Sequence, residues 1–207
     1  MTKSALSLVA SAPKSKKATT PSLVDRRTEE LVFAFVGPVG SGVSYSAEIL
    51  SEILRHRYAY QVRTYKISSI ISKASLQLGG SIDTNAKGSR RTEQLQTAGN
   101  KLRQKFGNGY LAEKCVEEIG VERVANNGYE KRKDKLIPVP RRQAHIIDSL
   151  KNPSEIQLLK DVYGDVLWIV GVFVPEDARK TRLKALGHND QDLAQIMLRD
   201  EADEAAP

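Results

Sequence analysis

The sequence predicts an α/β fold in which a mostly parallel sheet is covered by helices, making three layers. Three observations carry that expectation. Short apolar runs alternate along the chain with stretches of helical periodicity, the pattern of β–α units. The first run, residues 31–36 (LVFAFV), is continuously apolar, as a strand buried on both faces must be. A glycine-rich turn follows it directly and opens a helical pattern.

The elements follow in order. Residues 44–57 carry Ala47, Ile49, Leu50, Ile53 and Leu54 at helical spacing. Residues 61–67 (QVRTYKI) read as a second strand and 68–78 as a helix. A polar loop spans 83–89. Residues 92–106 and 111–124 are amphipathic helices parted by the turn signal Gly107-Asn108-Gly109. Residues 144–148 (AHIID) are a third strand, 154–163 a helix, and 166–174 (VLWIVGVFV) a long buried strand with Trp168 in the core. Helices from Glu176 and Asp190 complete the pattern, and no internal repeat is visible.

The chain has 207 residues, 40% of them hydrophobic, with a formal charge of +7. That length accommodates one α/β domain, and the apolar content excludes a wholly disordered chain. A single cysteine, Cys115, excludes an intramolecular disulfide and a CxxC metal site and points to a reducing, cytoplasmic setting. No apolar run approaches a membrane span, and residues 1–17 have too short an apolar stretch for a signal peptide.

The positive charge is concentrated. Residues 1–28 hold six basic side chains against Asp25 alone and read as a disordered basic arm. Residues 129–142 (YEKRKDKLIPVPRR) are extended by Pro138 and Pro140, with six basic residues against Glu130 and Asp134. Such a segment suits RNA or another polyanion, although a solvated loop is the commoner outcome. Residues 190–207 are acidic and read as a helix or linker, leaving 29–189 as the folded domain.

The sharpest motif is Gly37, Pro38, Val39, Gly40, Ser41, Gly42, Val43, Ser44. It fits the phosphate-binding P-loop GxxxxGK(S/T) except that Val43 stands where the pattern has lysine. Glycines let successive backbone N–H groups curl around a phosphate, the helix start adds positive potential, and Ser44 is placed to ligate Mg²⁺. A plain strand-to-helix turn is the alternative; the flanking strand and helix favour phosphate. Without the lysine the loop lacks the cation that neutralises a transferred phosphoryl group, so binding is expected and catalysis is not.

Asp148, at the tip of the third strand, stands where α/β sheets bind ligands. It reads equally as a carboxylate that holds Mg²⁺ through water or positions a phosphoryl acceptor, or as a helix-capping or turn aspartate before Asn152-Pro153. Gln96, Asn100 and Arg103 share two helical turns, with Gly99 permitting close approach; they suit a second substrate or a solvated polar face. Arg179, Lys180, Arg182 and Lys184 crowd one late helix. His56, His145 and His188 lack metal-ligand spacing.

Together, LVFAFVGPVGSGVS, QTAGNKLRQKFGNGYLA, AHIIDSLKNPSEIQLLKDVYG and VFVPEDARKTRL resemble the deoxynucleoside monophosphate kinase branch of P-loop proteins. Val43 in the lysine position together with IIDSLKNPSEI resembles the N-terminal kinase-like domain of bacterial anti-phage dCTP deaminases. The resemblance covers residues 29–200. It implies a kinase-like P-loop fold, and a C-terminal zinc deaminase domain, beyond residue 207, that depletes dCTP and dCMP during phage infection. It also implies ATP or a dNTP or dNMP with Mg²⁺ as ligand, homo-oligomers, and in some members a small regulatory RNA. The zinc chemistry needs HxE and PCxxC segments, and the sequence holds neither, so this chain alone is expected to be inactive as a deaminase. By the same resemblance, residues 37–44 are the phosphate loop and Asp148 the strand-tip acid. Arg103 corresponds to the acceptor-site arginine and Arg182 to the lid-type arginine.

The leading expectation is therefore a nucleotide-binding regulatory domain of an antiviral nucleotide deaminase. An active deoxynucleoside monophosphate kinase, with Lys66 or Lys180 supplying the missing cation, is the alternative. An RNA-binding module is the third.

Overall fold

The computed structural model describes residues 30–205 apart from 81, 84 and 140; the basic arm expected at 1–28 lies outside the described residues. Four strands form one parallel sheet: β1 (Glu30–Val36), β2 (Gln61–Lys66), β5 (Gln143–Leu150) and β6 (Leu167–Gly171), in the order β2-β5-β1-β6. The helices are α1 (Val43–Tyr58), α2 (Ile67–Ser75), α3 (Gly88–Phe106), α4 (Tyr110–Ala125), α5 (Pro153–Tyr163), α6 (Glu176–Ala185) and α7 (Asp190–Ala205). β3 (Tyr129–Arg132) and β4 (Lys135–Pro138) make a separate antiparallel hairpin.

Strand alternation sends side chains to two core layers. On one face, Val32 and Ala34 of β1 and Ile147 and Leu150 of β5 pack with Ile67, Ile70, Leu102, Leu111, Ile119 and Leu159 from α2, α3, α4 and α5. On the other, Phe35, Val62, Ala144 and Ile146 pack with Val43, Ala47 and Leu54 of α1. Helix, sheet, helix: the expected three-layer α/β arrangement forms. Residues 31–36 of the central strand β1 are continuously apolar because both faces are covered, and each fully buried Leu or Ile contributes about 1.5–3 kcal/mol.

Two expectations change. Residues 166–174 do not form a long buried strand. β6 is an edge strand of five residues, and Trp168 is 57% exposed, Ile169 41% and Phe173 83%. It pairs with β1 on one side only, while α1 lies over β1, β2 and β5. An apolar run reads the same on a central and an edge strand, so periodicity does not separate them. Residues 129–138 of the basic stretch are extended as expected, but as the β3–β4 hairpin, with Lys133 and Asp134 in the left-handed region at its turn.

The acidic segment from residue 190 forms α7 and folds back on the domain. Its Leu193 and Ile196 are buried with Leu183 of α6, against Val39 of the glycine loop. No described helix is long and apolar enough to cross a membrane.

Candidate functional site

β1 and β5 end side by side at the carboxyl edge of the sheet, and the loop 37–44 crosses that edge into α1. Gly37 passes so close to β6's exit that a Cβ would stand 2.6 Å from the Val172 carbonyl oxygen, so no side chain fits there. Gly40 has φ +82°, and a Cβ would also meet Leu183 at 2.9 Å. α1 then starts with Gly42 as its N-cap and no side-chain cap, leaving the first-turn N–H groups without an internal acceptor.

The loop opens onto a cavity of about 470 Å³. Gly37, Pro38, Val39, Gly40, Gly42, Val43 and Ser44 line it, together with Lys66, Ile71, Thr92, Leu95, Gln96, Arg103, Asp148 and Lys151. The predicted loop, the strand-tip acid and two of the three α3 residues, Gln96 and Arg103, thus meet in one space, while Asn100 does not line it. Ser41 is the exception within the loop, buried beneath it.

Val43 is 7% exposed and packs with Phe35 and Ala47, so the position that carries lysine in the P-loop pattern serves the core. The cation beside the loop comes from elsewhere. Lys151, in the turn between β5 and α5, donates from Nζ to the Gly37 carbonyl at 2.8 Å. Sequence reasoning named Lys66 and Lys180 for this role and missed Lys151. Lys66 does line the cavity, at the end of β2. Lys180 does not: it pairs with Glu176 on the exposed side of α6. A signal for Lys151 was available, since it stands three residues after Asp148, just past the tip of the central strand.

Asp148 is 7% exposed and lines the cavity, while the cap of α5 is Asn152, whose side chain accepts from the Ser154 N–H at 2.8 Å. The helix-capping reading of Asp148 is thereby replaced. With Ser44 it presents a carboxylate and a hydroxyl, oxygen donors of the kind Mg²⁺ takes alongside water and phosphate. Among the described residues, no three His, Cys, Asp or Glu side chains cluster as a metal site.

Arg103 reaches the cavity wall but is already engaged. Its Nε donates to Glu155 Oε1 at 2.8 Å, and its Nη1 donates to Asn100 Oδ1 at 3.1 Å. Asn100 is otherwise exposed. Gln96 differs: both its carboxamide oxygen and nitrogen are buried without a hydrogen-bond partner, and the side chain lines the cavity. An orphaned carboxamide offers two N–H donors and a carbonyl acceptor to a ligand. The expectation of a solvated polar face on α3 therefore fails for Gln96 and Arg103.

Arg182 does not line the cavity. Its Nη1 donates to the Ser41 carbonyl at 3.1 Å, bracing the loop from the α6 side. Arg179 does the same at Val39, with Nε 3.1 Å from the carbonyl oxygen. Asp200 of α7, which sequence reasoning left unassigned, accepts from the Val39 N–H at 2.8 Å. No protein-family model matches the chain, and no curated protein matches it.

Proposed function

We propose that the chain is a nucleotide-binding, kinase-like P-loop domain with little or no phosphoryl transfer, serving to regulate a deaminase that depletes deoxycytidine nucleotides during phage infection. The observation that carries the binding part is the glycine loop with an uncapped helix start facing a cavity of nucleotide-compatible size. The orphaned Gln96 amide, which lines the same cavity, supports a ligand with a hydrogen-bonding base edge. Ser44 and Asp148 are the side chains that would hold Mg²⁺, which neutralises phosphate charge when bound. The regulatory part rests on the resemblance and on Val43, whose burial leaves the loop without its own lysine.

The test is to incubate the full chain with ATP, Mg²⁺ and each deoxynucleoside monophosphate. Saturable nucleotide binding without rapid diphosphate formation supports the reading. Rapid diphosphate formation abolished by Ser44→Ala contradicts its regulatory part and favours the second reading, an active kinase. One observation favours that second reading: Lys151 brings a cation to the loop from another element.

A further inference from the structure

Asp200 is 3% exposed, and its carboxylate is surrounded by donors. Oδ1 lies 3.1 Å from Lys151 Nζ; Oδ2 lies 2.7 Å from Arg179 Nη2 and 2.8 Å from the Val39 backbone nitrogen. One backbone N–H of the glycine loop, one ammonium and one guanidinium thus converge on a single anion. That donor set is the one proteins assemble for a phosphate. Two cations also face one carboxylate, and Arg182 adds a third positive group on the Ser41 carbonyl. With Asp148 counted beside Asp200, these three cations still exceed the two carboxylates at the loop.

We propose that Lys151 is the cation that meets a nucleotide phosphate at this loop, and that Asp200 is the anion it holds until phosphate takes its place. The proposal rests on the phosphate-binding reading of residues 37–44. Lys151 is suited to the role because it lines the cavity and its ammonium is anchored on the first glycine's carbonyl, at the mouth of the loop. Its turn is held rigid: the Lys151 and Asn152 backbone N–H groups both donate to Glu155 Oε2 at 3.2 Å. A phosphate arriving at Lys151 brings at least as much negative charge as Asp200 and more acceptor oxygens.

The consequence falls on α7. Its apolar anchors, Leu193 and Ile196, lie in the first half of the helix, and Leu198 is exposed. Beyond Ile196, the helix is tied to the domain through Asp200 and through an Arg199–Glu93 contact of 3.4 Å. Displacing the carboxylate loosens the last turns of α7, so occupancy of the cavity is converted into release of the chain's carboxyl-terminal helix. Ligand and helix compete for Lys151, the one of the two Asp200 partners that lines the cavity, and linkage makes the effect reciprocal.

The experiment uses the full chain and four probes: ATP, dCTP, dCMP and inorganic phosphate, with affinities from titration calorimetry and α7 mobility from amide hydrogen exchange. Asp200→Asn keeps the shape and removes the charge; it is expected to tighten phosphate-bearing ligands by about tenfold and to make residues 197–205 exchange quickly without ligand. Lys151→Met is expected to weaken the same ligands about tenfold or more, with Lys151→Arg retaining most of the affinity. In the unsubstituted protein, saturating nucleotide should itself accelerate exchange in 197–205, a readout that needs no variant to fold. Binding by the unsubstituted protein with α7 exchange unchanged, and with Asp200→Asn no tighter, overturns the competition. Binding that survives Lys151→Met overturns the cation assignment. If neither the unsubstituted protein nor Asp200→Asn binds any of the four probes, the phosphate-loop reading itself falls.

Discussion

Arg103 and Glu155 form a buried ion pair, Nε to Oε1 at 2.8 Å, joining the last turn of α3 to the first turn of α5. Glu155 is fully buried, and its second oxygen accepts from the Lys151 and Asn152 backbones. One carboxylate therefore holds both the arginine on the cavity wall and the turn that carries Lys151. Leaving a buried charge unpaired costs about 3–5 kcal/mol. Glu155→Gln is expected to lose about that much stability in chemical denaturation, with nucleotide affinity falling alongside. A loss under 1 kcal/mol would show that the pair is dispensable.

Val43 gives a sharper test of why the loop lacks its lysine. Its side chain packs against Phe35 and Ala47 beneath the loop. Val43→Lys restores the P-loop pattern but puts an ammonium into an apolar layer, so it should lower the melting temperature and create no kinase. A variant as stable as the parent that phosphorylates deoxynucleoside monophosphates would contradict this.

Cys115 is fully buried in the core, and burial pushes its thiol pKa upward, holding it as the unreactive protonated form. Reaction with a disulfide reagent at pH 8 should be slow and should follow global unfolding as denaturant is added. Complete reaction within seconds under native conditions would contradict the packing around α4.

Acid should weaken the fold partly through Glu30. Burial raises its carboxyl pKa, but the side chains of His145 and Arg123 outweigh that and leave it below the usual 4.5. The folded state thus binds this proton more weakly than the unfolded chain does. Its stabilising contribution is present above about 4.5 and is lost as pH falls through the lowered value. Glu30→Gln should flatten the stability–pH curve below 4.5; a curve that keeps its slope would assign acid sensitivity to other groups.

Much of the fold was legible because its signals are local. Residues 31–36 of β1 are continuously apolar, Ile146 and Ile147 mark the middle of β5, and Gly107-Asn108-Gly109 marks the break between α3 and α4. The exposed β6 was not legible, since whether a neighbour covers Trp168 depends on sheet order and not on the run itself. The site divides in the same way. Residues 37–44 announce themselves by spacing, and Asp148 by its place at a strand tip. Lys151, Arg179 and Asp200 meet only through folding, across 49 and 21 residues of chain. No motif relates them.

The most direct test of the central claim is equilibrium binding of ATP, dCTP and dCMP, with and without Mg²⁺, by calorimetry on the full chain. The account predicts saturable binding near one nucleotide per chain, a raised melting temperature at millimolar ligand, and weakening by Lys151→Met. No heat of binding and no melting shift for any of the three would contradict it.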